Sequence, residues 1–391
     1  MISFENAFTK SQIVAQRSTP GILTVRTSHS SGFVLKESVI ARQKLPSFSK
    51  AAVDGYAILK DDIHKALRIA GIIAAGQNHN YRLKPGECYH IMTGAATPAN
   101  ADMVVMQEDV EKDSGRINVL KVPTKSNIIK EGEDADAGTT LLSAGTYLQP
   151  RHSGILATAG YAEIQVYEKP SVGVLNTGSE LVEAGQKTTG FEIINSNGPQ
   201  TIAQLRESGL DGHYLGIVPD DAGKTYDLIR QGTEQNDILI ITGGVSEGHY
   251  DLVGKTLKDL GFQILFDKVA VQPGKPTTLA ARGQKAVIGL PGNPVSSFVI
   301  FKLLVEPFIV TWMKGRWENP GILLPLGKPV KHRNSKRDKW IPINIINGEA
   351  IPVAYHGSAH IHAISFGTHI MRIAAGTEKI NKGDFVRVRP L

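Results

Sequence analysis

Between residues 170 and 312 the chain alternates short apolar runs with helical stretches, and this alternation constrains the fold more than any other feature. SVGVLNTGSELV reads as a strand entering a glycine turn, and FEIINSNGPQTIAQLRESGLD as a turn opening a helix that Gly209 ends. DGHYLGIVPDD, NDILIITGG, FQILFDKVAV and the start of KAVIGLPGNPVSSFVIFKLLVEPFI read as further strands, and AGKTYDLIRQGTEQ and DLVGKTLKDLG as helices. Strands and helices in turn at this spacing predict a parallel sheet covered on both faces. In such sheets ligands sit outside the carboxyl ends of the strands. The stretch Asn236 to Asp251, NDILIITGGVSEGHYD, follows that grammar. Its apolar run, Ile238 to Ile241, stops at Gly243 and Gly244, which free the backbone and let a ligand come close. NTGSELV, VQPGKP and LPGNP each place a Gly or Pro corner just after a strand of the same block. Four such corners on one edge of one sheet predict a ligand cleft there.

Elsewhere the texture differs. Residues 2–16 fit an amphipathic helix with Phe4, Ala7, Ile13 and Val14 on one side. Residues 67–122 break into short β-like runs that predict a small sheet or barrel. The segment 126–139 holds Glu131, Glu133, Asp134 and Asp136. It is either a solvated acidic loop or a cation site, since hard cations prefer carboxylate oxygen. After Gly315 the helical pattern stops, and residues 320–391 read as a small all-β domain.

At 391 residues the chain is long enough for two or more domains. Hydrophobic residues at 41% and charged residues at 20% are ordinary for a soluble globular protein. A net charge of +6 suits an anionic ligand and is too weak to imply nucleic acid. The basic run 328–339 sets six Lys or Arg against one Asp without interleaved aromatics. That is a solvated face or a holder of an anion, and no nucleic-acid site is expected. The single cysteine, Cys88, rules out an intramolecular disulfide and suits a cytoplasmic location. The N-terminus lacks a signal-peptide pattern. The most apolar region, Val295 to Trp312, is interrupted by Lys302, Glu306 and Pro307, so a buried helix is expected and no membrane span.

Several motifs fall short. GHYDLVGKT puts five residues between its first glycine and the Gly-Lys pair, where a phosphate-binding loop needs four, and Asp251 would sit inside the cradle. No G-x-G-x-x-G follows a strand, and no G-x-S-x-G is present. If residues 359–364 form a strand, His360 and His362 share a face and could hold a metal with His356 nearby. No acid or cysteine lies close in sequence, and a surface pair is the plain reading.

LPSFSKAAVDGYA, IMTGAATPANADMVVMQE, EGEDADAG, NTGSEL, TGGVSEGHYD, QPGKP and LPGNPVSS, in this order, resemble the MoeA/gephyrin E-domain family of molybdopterin molybdenumtransferases. The resemblance runs from about residue 45 to 312. It implies that adenylylated molybdopterin receives molybdate at its dithiolene, that AMP leaves, and that magnesium takes part. It implies an N-terminal linking domain over 1–169 with an inserted β-rich lobe at about 55–135. A parallel-sheet molybdopterin-binding (MogA-like) α/β domain over 170–312 and a C-terminal β barrel over 313–391 would follow. A homodimer is also implied. Carried onto this chain, Asp54, Glu180, Lys268 and Lys275 fall at catalytic positions. Thr93, Asp134, Gly243, Gly244, Ser246, Pro291, Pro294 and Ser358 fall at substrate-binding ones. Asp220 and Asp251 are the expected magnesium ligands, as a cation bridging phosphates needs carboxylates. Lys268 and Lys275 could offset the charge of molybdate.

The chain departs from the family pattern in two places. Ser49, Lys50, Ala51, Ala52 and Val53 stand where Asp-Asn-Ser-Ala-Met usually precedes Asp-Gly-Tyr, and Gln272 stands where a lysine often precedes PGKP. Two further readings follow: a divergent paralogue that binds molybdopterin or a nucleotide without efficient insertion, and a scaffold protein on the same fold.

Overall fold

The alternating block folds into a six-stranded sheet in the spatial order Gly212–Val218, Val172–Thr177, Ile238–Thr242, Lys285–Leu290, Thr278–Arg282, Gln263–Phe266. The structure is a computed structural model that describes residues 1–77, 80–244, 252–332, 336–355, 357 and 359–391. The first four strands are parallel. Side chains on successive residues of a strand point to opposite faces. Accordingly Ile238 and Ile240 enter one core with Val172 and Val174, while Leu239 and Ile241 enter a second with Leu175 and Val287. A strand buried on both faces must be apolar throughout, which is why this run does not alternate with polar residues. Burying each of these aliphatic side chains contributes about 1.5–3 kcal/mol.

The sheet is mixed at its far edge. Thr278–Arg282, which the sequence reading passed over, pairs antiparallel with Lys285–Leu290 through the two-residue turn Gly283-Gln284. Gly283 takes φ 58°, the left-handed backbone that the first position of such a hairpin turn needs. The run FQILFDKVAV is also divided. Gln263–Phe266 joins this sheet, and Val271–Gln272 pairs in parallel with Asp338 and Lys339 in another.

The apolar helix Pro294–Trp312 lies 89% buried, so its length and hydropathy mark a core helix of this unit. Its middle turn, Phe301–Val305, is a π-helix. Pro307 follows, with no N–H for the carbonyl four residues back and a ring that would strike it. The widened turn relieves that contact. The helix Phe4–Gln16 is capped by Ser3, whose Oγ accepts from the Asn6 N–H at 3.1 Å. Its buried face is Ala7, Ser11, Val14 and Ala15. Ile13, expected on that face, is 47% exposed because it lies off the i, i+4, i+7 stripe.

C-terminal strands Asp338–Ile346, His369–Ile373, Phe385–Pro390 and Ile322–Pro325 pair in sequence of space, and Glu349–Pro352 returns along Asp338–Ile346. A bridge between Leu326 and Ala350 closes this sheet on itself as a small barrel. Its interior holds alternate residues of each strand: Ile341 and Ile343, Met371 and Ile373, Val386 and Val388. Residues 359–364 do not form the strand that would pair His360 with His362. The segment turns and enters the short helix His362–Ser365, and the His362 ring packs on Phe366 at 4.7 Å.

All of these elements belong to one compact unit, Met1–Glu37, Ala144–Ser153 and Glu163–Leu391. A second unit holds Ser38–Ser143 and Gly154–Ala162. It is built on six strands in the order Met103–Met106, Gly55–Ile58, Glu87–Ile91, Leu67–Ile73, Arg116–Val119, Val110–Asp113. Tyr56 and Ile58 enter one of its cores and Ala57 the other.

Candidate active site

A cavity of about 930 Å³ opens at the carboxyl edge of the parallel strands. The residues just beyond three of those strand ends line it: Gly178 and Glu180 after Thr177, Gly243 and Gly244 after Thr242, and Pro291 and Gly292 after Leu290. Asp220 joins them from the loop after Val218. Three of the four corners named from sequence therefore converge as expected. VQPGKP also reaches the cavity through Gln272 to Pro276, but not as a corner of the parallel sheet. It arrives from the strand that pairs with the barrel, so the wall is assembled from two sheets.

The glycines are held by contact as well as by φ. Gly243 sits at φ 84° and Gly244 at φ 62°. A Cβ on Gly243 would lie 2.5 Å from the Thr177 carbonyl oxygen, and one on Gly244 would lie 2.5 Å from Thr177 Oγ1.

Two helices begin at the cavity. Asn197 opens the helix Asn197–Glu207, and Pro294 opens Pro294–Trp312. The first N–H groups of a helix have no partner inside it, and its N-terminus carries partial positive charge. Two such ends favour an anion, above all a phosphate. Pro294 suits the first position because the N–H it lacks would be unpaired there. The two helix starts are tied together. Asn197 Nδ2 donates to the Gly292 carbonyl at 2.7 Å, and Gln200 Nε2 to that of Pro294 at 3.0 Å. On this wall the buried oxygens Thr177 Oγ1 and Asn197 Oδ1 have no hydrogen-bond partner among the described residues.

Charged groups of both signs line the cavity: Lys275 and Arg337 against Glu180 and Asp220. The pair Asp220-Asp221 divides its work. Asp221 caps the helix Ala222–Gln235 by accepting from the Lys224 N–H at 2.8 Å. Asp220 is locked to Ser179, whose Oγ accepts from the Asp220 N–H at 2.8 Å and whose N–H donates to Asp220 Oδ2 at 3.3 Å. Lys268 is not among the described residues that line the cavity; its carbonyl accepts from the Ile2 N–H at 3.0 Å. Among the described residues no group of three or more His, Cys, Asp or Glu is placed to hold a metal.

In the second unit, Asp54 and Thr93 come together. Asp54 Oδ1 accepts from the Thr93 N–H at 2.6 Å and from Thr93 Oγ1 at 2.7 Å. These two bonds, the backbone one first, hold the Asp54 carboxyl below its ordinary range. Asp54 precedes the strand Gly55–Ile58, and Gly55 is required by close approach. A Cβ there would lie 2.0 Å from the Val105 carbonyl oxygen. Asp134 is exposed, and its N–H donates to the Leu45 carbonyl at 2.9 Å. The neighbouring acids are engaged locally: Glu131 pairs with Lys44 at 3.3 Å, and Glu133 accepts from the Lys130 N–H at 2.7 Å. The unusual segment 49–53 is built into this unit. Ser49 Oγ accepts from the Glu131 N–H at 3.1 Å, and Lys50–Ala51 pairs with Ile128–Ile129. Ser246, Asp251, Ser358 and His356 lie outside the described residues.

Sequence reasoning missed Thr177, Asn195, Asn197 and Arg337 as part of the wall. INSN stood at the turn it named, and Arg337 in the basic run read as a solvated face or a holder of an anion. What was absent was any sign that these residues face one cavity.

The fold and cavity define an α/β protein with a ligand cleft at the carboxyl edge of a parallel sheet. Residues 173–311 match the probable molybdopterin binding domain, and residues 2–160 match the MoeA N-terminal region (domains I and II). A molybdopterin molybdenumtransferase of Bacillus subtilis is 37% identical over 291 residues, covering 71% of this chain and 68% of that protein. One from Staphylococcus aureus (strain MRSA252) is 35% identical over 306 residues, 76% of this chain and 73% of that protein. The crystal structure of a molybdopterin biosynthesis moeA protein from Pyrococcus horikosii aligns over 100% of this chain and 99% of that one, with a TM-score of 0.70 and 28% identity. The chain belongs to the MoeA family of molybdopterin molybdenumtransferases, the transferases of molybdenum cofactor biosynthesis.

Proposed function

We propose that this chain inserts molybdenum from molybdate into adenylylated molybdopterin and releases AMP, and that the cavity at the carboxyl edge of the parallel strands receives the phosphate-bearing substrate. The observation that carries this reading is the convergence of two helix N-termini and three strand-end corners on one space of about 930 Å³. Phosphates are held by first-turn N–H groups of the helices that open at Asn197 and Pro294 and by the backbone of Gly243 and Gly244. Lys275 offsets the charge of molybdate where the dithiolene sulfurs meet it, and Arg337 adds a second cation on the same wall. Pro291 and Pro294 keep the LPGNP corner open beside them.

The carboxylates here fit a magnesium ion. Among the described residues one oxygen of Asp220 is in a hydrogen bond, at 3.3 Å, and Asp220 shares the cavity with Glu180. Magnesium commonly takes one or two carboxylates, keeps several waters and uses substrate phosphates for the rest. Asp220 is the described residue that would hold it, with Asp251 as the second ligand. When bound, the ion offsets phosphate charge. Glu180 orients the substrate or moves a proton at its carboxylate. Asp54, kept ionised by Thr93, and Asp134, Lys268, Ser246 and Ser358 are assigned to the same reaction on the strength of the family pattern.

We assign the chain to a cytoplasmic homodimer and retain the division at residues 169 and 312. Mixing the purified protein with adenylylated molybdopterin, molybdate and magnesium tests the reading. AMP release with molybdenum bound to the dithiolene is the expected result. No AMP and no molybdenum product would refute it. Binding without AMP release would favour the divergent paralogue, for which Gln272 in the cavity wall is the motive.

A further inference from the structure

The corners that form the cavity wall come from separate elements, and one buried side chain is bonded to a helix start and to the strand before one corner, and through Asn176 to the strand before another. Asn195 is 2% exposed and lies between the strand Ile193–Ile194 and the helix Asn197–Glu207. Its Oδ1 accepts from the Gly198 N–H at 3.1 Å, so it caps the helix that Ser196, the nominal cap residue, leaves without a side-chain bond. Its Nδ2 donates to Asn176 Oδ1 at 3.3 Å and to the Tyr214 hydroxyl at 2.8 Å. Asn176, 0% exposed, passes the connection on by donating to Thr242 Oγ1, directly before Gly243. Tyr214 in turn donates to Glu183 Oε1 at 2.6 Å. Burial, and then the Glu183 carboxylate beside it, hold the Tyr214 phenol above its ordinary range, so it remains a donor throughout the neutral region. Every bond in this chain has one possible direction: the Glu183 carboxylate only accepts, so Tyr214 gives its proton there and receives from Asn195. The amide orientations of Asn195 and Asn176 follow from that end point.

We propose that Asn195, fixed by Tyr214 and Glu183, is a positioning residue for substrate: it sets the helix N-terminus at Asn197 and the Thr242–Gly243 corner at their working separation. The inference rests on reading the cavity as the molybdopterin site. Asn195, Asn176 and Thr242 are buried and bonded to one another, so this part of the chain has few alternative arrangements and fixes geometry more sharply than apolar packing would. Asn195 stands in the cavity wall, but its amide is taken up by Gly198, Asn176 and Tyr214, so it acts on substrate through them.

Asn195→Asp is the informative substitution. An aspartate still caps the helix, but it cannot donate to Asn176, and it sets two acceptors against each other. Titrating molybdopterin into wild-type, Asn195→Asp, Tyr214→Phe and the double variant, with thermal unfolding in parallel, tests the proposal. Expected are about tenfold weaker binding for Asn195→Asp, a smaller loss for Tyr214→Phe, and a double variant no weaker than Asn195→Asp alone, because both act through one chain. Turnover at saturating substrate should fall less than about twofold, placing the effect in KM. Wild-type affinity in Asn195→Asp would overturn the positioning role. So would losses that add in the double variant, or a binding loss that simply tracks a lower Tm. If wild-type protein itself fails to bind molybdopterin, the reading of the cavity falls first and this inference falls with it.

Discussion

Adding one methyl group at Gly243 should cripple the wall, and the structure says why this position differs from its neighbour. Gly243→Ala faces two costs. The residue must keep φ near 84°, which strains a side-chain-bearing residue by about 1–2 kcal/mol. Its Cβ would also lie 2.5 Å from the Thr177 carbonyl oxygen. Ordinary contact begins near 3.4 Å, so backbone on one side must retreat by about 0.9 Å (3.4 minus 2.5). Thr177 is the last residue of its strand and leads into Gly178, so that retreat displaces a neighbouring corner of the cavity. Misplacement of about 1 Å can cost as much as a hundredfold in rate, and we expect molybdopterin affinity to fall about ten- to a hundredfold. Gly244→Ala carries the same backbone strain, but its nearest obstacle is Thr177 Oγ1, a side-chain atom. Removing that atom should help one variant far more than the other. Adding Thr177→Ala should restore most of the affinity lost in Gly244→Ala and little of that lost in Gly243→Ala, whose Cβ also meets Thr177 Oγ1 at 3.0 Å but strikes the backbone carbonyl first. Fluorescence or calorimetric titration with molybdopterin reads all four proteins. Equal rescue of both, or near wild-type affinity in Gly243→Ala, would refute the reasoning.

Three further outcomes follow from the geometry. Thr93→Val removes the hydroxyl that donates to Asp54, so the Asp54 carboxyl should titrate at higher pH, while the backbone bond keeps part of the depression. A depressed carboxyl stabilises the fold above its unfolded pKa and loses that contribution as pH falls through the folded value, so the variant should show its acid loss at higher pH, as read by carboxyl NMR. Asp220 and Asp221 should separate cleanly. Asp221→Ala costs about 1 kcal/mol at the helix cap, seen as roughly fivefold faster amide exchange in the first turn of Ala222–Gln235, whereas Asp220→Ala should spare exchange and lower turnover. The Cys88 thiol, pushed up to about 12 mainly by burial, should resist alkylation at pH 8 in the folded protein and react once it is unfolded, as measured by mass.

Much of the site was legible in the sequence because it depends on local chemistry. Ile238–Ile241 could only be a strand buried on both faces, and Gly243 and Gly244 could only mark an abrupt change of direction beyond it. The parallel pairing and the shared edge followed from these and from the matching corners at Thr177 and Leu290. What escaped was decided by partners remote in sequence. VQPGKP looked like a fourth corner of the sheet, yet Val271 and Gln272 pair with Asp338 and Lys339 some 67 residues later. TTLAAR was passed over because its five-residue strand is defined only by its antiparallel neighbour. Residues 359–364 read as a possible strand carrying paired histidines, and they enter the short helix His362–Ser365 instead. Asn195 could not be singled out from INSN, since its importance lies in Asn176, Tyr214 and Glu183, which only the fold brings to it. The departures at Ser49 and Gln272 were visible from the start. The structure adds that Ser49 keeps an acceptor on the Glu131 N–H, while Gln272 leaves the cavity wall without the usual lysine.

A crystal structure of the protein soaked with molybdopterin tests the central claim most directly. The account predicts the ligand in the cavity between Gly178, Gly243 and Gly292, with its phosphate at the N-termini of Asn197–Glu207 and Pro294–Trp312. Ligand density elsewhere on the chain, with this cavity left to solvent at saturating concentration, would contradict it.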